Sequence, residues 1–258
     1  MQVIPVPCLK DNYAYLVIDD ATKQAAVVDP SEAAPVLEAV NRAGVPLIAI
    51  WNTHHHWDHT GGNKALVQAL PKLTVVGHAS DKGRVDGQTL FLNHGETFKF
   101  GSLTVRGLHN PGHTTGAISY AVEDAVFTGD TMFAAGCGRL FEGTPEQMYT
   151  SLCKTIGGLP ETTRVFFGHE YTENNLRFAV HVEPDNAAAQ ARYANVQAAR
   201  KAGKMTTPST LKEEWATNPF MRTASSKTLQ ARAKQEDSAN DGSPIAVLGV
   251  VRKLKDKF

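Results

Sequence analysis

The sequence predicts an α+β protein in which a sheet-forming part, residues 1–172, is followed by a mainly helical part, residues 173–258. Short runs rich in β-branched and aromatic residues alternate with turn residues as far as Tyr171. Beyond that point helical periodicity takes over and strand patterns almost disappear. The length of 258 residues fits one large domain or two modest ones.

The sheet-forming part predicts nine strand regions and three helices. The strand regions are Val3–Val6, Tyr13–Ile18, Gln24–Val28, Leu47–Trp51, Thr74–Val76, Thr97–Arg106 with a turn at Gly101-Ser102, Ala117–Ala121, Ala125–Thr128 and Arg164–Phe167. The helices run from Ser31 to Gly44, over Gly61–Leu70, and from the capping box at Thr144 to about Gly157. Leu47–Trp51 is continuously apolar, which is typical of a strand buried on both faces.

The second part predicts four helices and one late strand pattern. The helices cover Glu173–Val182, Asp185–Ala202, Ser209–Ala216 and Ala224–Ala233. Residues 235–243 form a polar loop, and Ile245–Val250 has the pattern of a strand.

Composition and charge exclude several classes of function. Hydrophobic residues make up 42% of the chain, and 26 Lys+Arg balance 26 Asp+Glu. A nucleic-acid-binding protein normally carries a basic excess, and a membrane span needs about 20 apolar residues, so neither partner is expected. There is no secretory signal pattern, and the three cysteines have irregular spacing. We therefore expect a cytoplasmic protein, acting as a monomer, with its cysteines in the core.

Histidines point to a metal site. Four of the ten lie between residues 54 and 59, in the pattern His54-x-His56-x-Asp58-His59, directly after the predicted buried strand. In an extended loop, residues two apart point to the same side, so His54 and His56 can converge on one ion while Asp58 and His59 reach a neighbouring point. His55 points away by the same alternation.

Further ligands are needed to complete either site, and three candidates stand beside glycines at strand ends. They are His113, Asp130 and His169. Two sites can then be written: His54, His56 and His113 in one, and Asp58, His59 and His169 in the other. Asp130 can supply one oxygen to each ion, because a carboxylate bridges two cations and offsets their repulsion. Taken singly, a buried histidine is more often a hydrogen-bonded core residue. We assign a structural or surface role to His55, His78, His94, His109 and His181. Asp29, at a strand end, is either a partner of a ligand histidine or an ordinary turn residue.

The segments HHHWDHTGG, NPGHTTG, FTGD and FFGHEYT together resemble the metallo-β-lactamase superfamily. Within it, THHHWDH, GCGRLFEGT, GHEYT, NPFMR and the basic C-terminus resemble the glyoxalase II family of hydroxyacylglutathione hydrolases. The resemblance covers essentially the whole chain. It implies an αββα sandwich with a C-terminal helical domain, and the same division of ligands.

The activity that the resemblance implies is hydrolysis of S-(2-hydroxyacyl)glutathione thioesters, chiefly S-D-lactoylglutathione to D-lactate and glutathione, a step in methylglyoxal degradation. Two divalent ions, with zinc expected and iron or manganese also compatible, activate a bridging hydroxide. Asp58 and Asp130 are the catalytic carboxylates. Alternatives are a persulfide dioxygenase, a lactonase or a nuclease on the same fold, or a metal-binding module without activity.

The same resemblance implies a set of residues that recognise glutathione. They are Arg139, Phe141, Tyr171, Arg252 and Lys255. Without the resemblance, the last two would be a solvated basic end of the chain. The family pattern has lysine and tyrosine where this chain has Arg139 and Phe141, so the charge is kept and a hydroxyl is lost.

Overall fold

The computed structural model describes all 258 residues and contains two compact units that interleave along the chain. The first unit comprises Met1–His109, Thr115–Gly129 and Phe166–His169, and the second comprises Asn110–Thr114, Asp130–Val165 and Glu170–Phe258. The predicted division at residue 172 is a boundary along the sequence. These units do not test it, and it stays a prediction.

The first sheet of the first unit contains six strands in chain order. They are β1 (Gln2–Cys8), β2 (Asn12–Asp19), β3 (Gln24–Val28), β4 (Leu47–Trp51), β5 (Thr74–His78) and β6 (Leu90–Leu92). The first three are antiparallel, whereas β3 to β6 are parallel neighbours. The crossovers contain α1 (Ala33–Ala43), α2 (Trp57–Thr60) and α3 (Asn63–Ala69). Their buried residues, such as Val36 and Leu66, share a hydrophobic cluster with Val27 and Ile50 of the sheet.

The second sheet begins with four antiparallel strands. They are β7 (Thr97–Phe100), β8 (Leu103–His109), β9 (Ile118–Val122) and β10 (Ala125–Gly129). Trp51 of β4 is fully buried, and its ring lies 5.2 Å from Phe100 and 5.7 Å from Tyr120 of this sheet, between ring centroids. Aromatic side chains with large apolar area thus fill the space between the two sheets.

The second unit is mainly helical. Its short strands are β11 (Met132–Phe133), β12 (Gly136–Cys137), the first half of β13 (Arg164–Phe167) and β14 (Ser209–Thr210), and this half of β13 pairs antiparallel with β14. Its helices are α4 (Pro145–Tyr149), which continues as a π-helical segment to Ile156, α5 (Thr172–Val182), α6 (Ala187–Lys201), α7 (Leu211–Thr217), α8 (Lys227–Glu236) and α9 (Pro244–Lys257). The two sheets and the C-terminal helices confirm the predicted α+β class.

One predicted strand is wrong, because Ile245–Val250 lies inside helix α9. The Ser243 side chain accepts a hydrogen bond from the Ala246 backbone, and Pro244 occupies the first turn. The buried residues Val247, Val250 and Val251 have helical spacing. A short run of β-branched residues cannot by itself distinguish a strand from a buried helix face.

Other differences are smaller. The helix predicted from Gly61 begins at Asn63 and is preceded by the separate turn of α2. Strands β6, β11, β12 and β14 were not predicted, since segments of two or three residues carry too little periodicity. The helix predicted from Ser209 begins at Leu211, after β14. The three cysteines are free and buried, as expected. None of the helices combines the length and apolar character that crossing a membrane requires.

Asp19 joins two hairpin turns of the first unit. Its carboxylate accepts hydrogen bonds from the Ser102 backbone at 2.7 Å and the Ser102 hydroxyl at 2.9 Å, in the β7–β8 turn. It also accepts hydrogen bonds from Ala21 and Thr22 in its own turn. The bonds from Ser102 and Thr22 hold the pKa of Asp19 well below its usual value.

We expect Asp19→Asn to lower the denaturant midpoint at neutral pH. A carboxyl whose pKa is depressed by folding stabilises the protein above its unfolded-state pKa of about 4, and this contribution is lost as the pH falls through the depressed value. The gap between wild type and variant should therefore shrink below about pH 4. Urea unfolding across this range measures it, with the exposed Asp86→Asn as control. A gap that does not change with pH would contradict the assignment.

Candidate metal centre

The His54–His56 segment leaves the carboxyl end of strand β4 and leads into α2. The His54 Nε2 and His56 Nδ1 atoms lie 3.1 Å apart, so these two rings converge as their spacing predicts. His54 is buried and His56 is half-buried. The end of a buried parallel strand thus delivers two imidazole nitrogens to one point.

A second group forms where α2 meets the end of strand β13. The His59 Nε2 and His169 Nε2 atoms are 3.3 Å apart. The Asp58 Oδ2 atom lies 3.7 Å from the former and 3.4 Å from the latter. Asp58, His59 and His169 therefore bring three possible ligand atoms together, and their role as metal ligands stays a prediction.

Carboxylates behind the rings set the orientation of these histidines. The His59 Nδ1 atom lies 3.0 Å from Asp29 Oδ2, and the His169 Nδ1 atom lies 2.9 Å from Asp11 Oδ1. Asp29 also accepts hydrogen bonds from the Thr53 backbone and hydroxyl, at 2.7 and 2.6 Å. Of the two interpretations of Asp29, the structure supports the one in which it is the hydrogen-bond partner of a histidine, His59. Asp29 has a φ of 47°, a conformation that costs energy outside glycine and that concentrates at functional sites.

This hydrogen bonding tests whether the residues fit a metal ion. A neutral imidazole carries one proton, and a carboxylate only accepts, so Asp29 and Asp11 fix that proton on the Nδ1 atoms of His59 and His169. Both Nε2 atoms are then acceptors, and two acceptors facing each other at 3.3 Å repel unless a cation lies between or beside them. The donor set therefore fits a divalent ion with nitrogen and oxygen ligands.

The second unit contains the two remaining candidate ligands. The His113 Nε2 and Asp130 Oδ2 atoms lie 3.6 Å apart, and the His113 Nδ1 atom lies 2.9 Å from the Arg139 carbonyl oxygen. A carbonyl only accepts, so His113 also has its proton on Nδ1 and presents Nε2 as an acceptor. Gly138 permits this arrangement, since a Cβ there would lie 2.1 Å from the Asp130 carbonyl oxygen and 2.8 Å from His113 Nδ1.

Sequence reasoning missed one carboxylate, Asp11. Only the folded backbone brings Asp11 to this position. Asn12 forms an isolated β-bridge with His169, which places the preceding residue beside the histidine ring. The Asn12 side chain also donates to the Asp58 carbonyl oxygen at 2.9 Å. Both contacts join distant parts of the sequence, so local pattern does not reveal them.

Three of the predicted substrate residues have exposed side chains in the second unit. Phe141 is 62% exposed, and its ring lies 5.3 Å from the ring of His113. Arg139 is 64% exposed, with its Nε atom 3.6 Å from Asp256. The Tyr171 ring lies 5.4 Å from the ring of Phe133 and is partly exposed.

The two C-terminal candidates, both on α9, differ from each other. Arg252 is buried, donates to the Cys137 carbonyl oxygen at 2.8 Å, and bonds to Asp256 at 3.1 Å. Lys255 donates to the Asn174 carbonyl oxygen at 3.2 Å. Burial, followed by repulsion from Arg252 and Arg177, lowers the pKa of Lys255 to about 8.

Comparison with known proteins places the chain in a superfamily. The family model described as "Metallo-beta-lactamase superfamily" matches residues 10–169. ETHE1 from Myxococcus xanthus has a similar structure, with a TM-score of 0.68 and 25% identity over 99% of this chain and 98% of that one. TTHA1623, solved in a di-iron-bound form, has a TM-score of 0.60 and 26% identity over 85% of this chain and 100% of its own. The chain belongs to the metallo-β-lactamase superfamily, which confirms the predicted fold.

The family within this superfamily follows from two further matches. The model described as "Hydroxyacylglutathione hydrolase C-terminus" matches residues 170–258. The hydroxyacylglutathione hydrolase of Synechococcus sp. strain JA-2-3B'a(2-13) is 49% identical over 260 aligned residues, which cover 100% of both chains. The chain is a member of the hydroxyacylglutathione hydrolase family, as the sequence resemblance predicts.

We expect Asp29→Asn to weaken metal binding about 10- to 100-fold. The asparagine can present an NH₂ group to His59 or Thr53 where a carboxylate only accepts, so the imidazole loses its fixed orientation. Chelator competition with the metal-loaded protein measures the change. The exposed Asp86→Asn serves as control and should release metal as the wild type does. Equal release from the two variants would remove Asp29 from the metal centre.

Proposed function

We propose that this protein hydrolyses S-(2-hydroxyacyl)glutathione thioesters, chiefly S-D-lactoylglutathione, to the 2-hydroxy acid and glutathione. The observation that carries the proposal is the group of oriented imidazoles, with acceptor nitrogens facing one another, in a chain that matches named hydroxyacylglutathione hydrolases over its full length. This thioester hydrolysis would be a step in the degradation of methylglyoxal.

The candidate ligands would divide between two divalent ions. We assign His54, His56 and His113 to one, and Asp58, His59 and His169 to the other, with Asp130 shared. Zinc is the metal that we propose, because imidazole and carboxylate ligands without thiolate suit it, although the same ligands accept iron or manganese. When bound, such ions polarise a carbonyl and lower the pKa of water to about 7.

The side chains of the site prepare the reaction. The Nδ1 contacts of His59 and His169 with Asp29 and Asp11 keep the Nε2 lone pairs directed inward. These contacts also make the rings stronger electron-pair donors toward a metal ion. We assign the catalytic carboxylates to Asp58 and Asp130, and Asp58 can also accept a hydrogen bond from the attacking water.

The leaving group explains why no general acid is needed. Oxygen from water forms a bond to the thioester carbon, the carbon–sulfur bond breaks, and the sulfur takes the electron pair. A thiol with a pKa of about 8.5 leaves as thiolate without a proton donor. The products are a carboxylate and a thiolate, and the two protons of water go to solvent.

Recognition of glutathione needs cations for its two carboxylates. Arg139 and Lys255 supply positive charge, Phe141 an exposed apolar ring, and Tyr171 a hydroxyl. Arg252 is the fifth residue of this set, and its bonds to Cys137 and Asp256 support a role through the segment that contains Arg139.

We further propose that the protein acts as a cytoplasmic monomer without nucleic-acid or membrane partners. The balance of 26 basic and 26 acidic residues supports the absence of a nucleic-acid role. The three free, buried cysteines fit a reducing compartment.

The decisive experiment is thiol release from S-D-lactoylglutathione by the purified, zinc-loaded protein. We expect Asp130→Ala to lose nearly all turnover and to bind one metal ion fewer, because the shared ligand is removed. Asp86→Ala, at an exposed position, is the control and should keep full activity. Retained turnover in Asp130→Ala would overturn the two-ion mechanism.

The same preparations separate the alternative activities. Oxygen uptake with glutathione persulfide in place of thiol release would indicate a dioxygenase, and ring opening of a lactone would indicate a lactonase. Two bound ions with no activity on any of these substrates would leave a metal-binding module.

Lys255→Ala should raise KM several-fold with little change in kcat, because the lost cation binds a remote carboxylate of the substrate.

Since the pKa of Lys255 is about 8, its charge is present below that pH and lost above it. The wild-type KM should therefore rise above pH 8, and Lys255→Arg should remove the rise. Steady-state kinetics between pH 6.5 and 9.5 measure both effects. The exposed Lys253→Ala, on the same helix, is the control. An unchanged KM in Lys255→Ala would remove Lys255 from the substrate site.

A further inference from the structure

His55 lies between two candidate ligands but has no part in the proposed chemistry. Its ring lies 6.5 Å from the ring of His54 but only 4.9 Å from the ring of His56, between centroids, in an edge contact. The predicted orientation away from both neighbours is therefore not met at His56. The His55 Nδ1 atom lies 3.4 Å from Asp81 Oδ2, and His55 Nε2 forms a hydrogen bond with the guanidinium of Arg84. The nitrogens of His55 therefore give the ligand segment a second set of polar contacts, with Asp81 and Arg84.

Arg84 fixes the tautomer of His55. A guanidinium has only donors, so His55 Nε2 accepts the hydrogen bond and the imidazole proton lies on Nδ1. This proton faces the Asp81 carboxylate. Asp81 thus lies beside an Nδ1 atom, as Asp29 and Asp11 do at His59 and His169. Its distance of 3.4 Å is longer than the 3.0 and 2.9 Å found there.

Stability alone does not explain Asp81. The residue ends a 3-10 turn, Ala79–Asp81, after strand β5, and it is only 1% exposed. Its oxygens contact His55 at 3.4 Å and Arg84 Nη1 at 3.5 Å, and they make no closer hydrogen bond. Burying a carboxylate with such long contacts costs free energy that an apolar side chain would not cost. The position of this charge therefore points to a role beyond packing.

Gly116 makes room for this carboxylate. A Cβ at position 116 would lie 2.1 Å from Asp81 Oδ1, so any larger residue displaces the acid. Two residues later, the Ile118 backbone donates to the Thr53 carbonyl oxygen at 2.8 Å. The 116–118 segment thus contacts both Asp81 and the residue that precedes His54.

We propose that Asp81, together with Arg84, is a positioning residue that sets the orientation of His54 and His56 through His55. A peptide segment that is anchored at His55 cannot rotate, so the flanking rings keep their common direction and the 3.1 Å approach of their nitrogens. The inference rests on the proposed metal site. It adds a residue that acts on the ligand segment through His55.

The test compares two buried carboxylates of the first unit, Asp81→Asn and Asp19→Asn, in zinc-loaded protein. Asp19 holds hairpin turns through Ala21, Thr22 and Ser102, so its loss lowers stability without touching the ligand segment. Chelator competition should show zinc affinity about 10- to 100-fold weaker in Asp81→Asn, and unchanged in Asp19→Asn. The visible absorption bands of the cobalt-substituted protein should shift in Asp81→Asn only.

Two results would overturn the proposal. One is wild-type zinc affinity and an unchanged cobalt spectrum in Asp81→Asn. The other is equal loss in Asp19→Asn, which would assign the effect to general stability. Gly116→Ala crowds Asp81 without altering His55 and should also lower the zinc affinity. An unchanged zinc affinity in Gly116→Ala would contradict the proposed role of Asp81.

The zinc measurement is independent of turnover. A wild-type protein that binds zinc but does not release thiol from S-D-lactoylglutathione would refute the proposed function alone. The role of Asp81 would then still be decided by the comparison of the two variants.

Discussion

The contact between a carboxylate and the outer nitrogen of an imidazole is the interaction on which the candidate metal centre depends. Several histidine rings packed together in a buried region repel if they are protonated, and their orientation is undefined if each can take either tautomer. Asp29 and Asp11 remove the second problem for His59 and His169, because each carboxylate fixes the ring proton on Nδ1. Each acid lies at the end of a strand or in the turn before one, so sheet geometry determines where the nitrogen lone pairs point.

The sequence predicts the candidate metal ligands better than it predicts the residues that orient those ligands. His54, His56, Asp58 and His59 stand close together in the chain, and alternation alone predicts which rings converge. Asp11 is 158 residues from His169 in sequence, and their contact exists only because β2 meets the end of β13. No local periodicity reports such a contact. Asp29 was predicted only in part. Its position at a strand end suggests a role at the site, but the sequence does not indicate that its partner is His59.

The prediction of regular structure shows a similar limit. Long strands such as Tyr13–Ile18 and capped helices such as the one after Thr144 were predicted because alternation, capping and turn residues agree. Val247, Val250 and Val251 belong to a helix because burial favours them there, against the intrinsic preference of β-branched residues for strands. Among the residues proposed to bind substrate, Arg252 is buried and bonds to Cys137 and Asp256, and a basic C-terminal run contains no information about either contact.

The order in which the segments of the first unit appear along the chain also governs how it can assemble. Its last piece, Phe166–His169, supplies a carbonyl oxygen to the Tyr13 backbone at 2.8 Å and another to the Tyr15 hydroxyl at 2.6 Å. During synthesis, these partners of β2 therefore leave the ribosome only after about two thirds of the polypeptide has been made. Closing loops of this length is slow and exposes a hydrophobic sheet in the meantime. The nascent chain therefore carries an incomplete β-sheet, which is prone to aggregation, until residues 166–169 have left the ribosome.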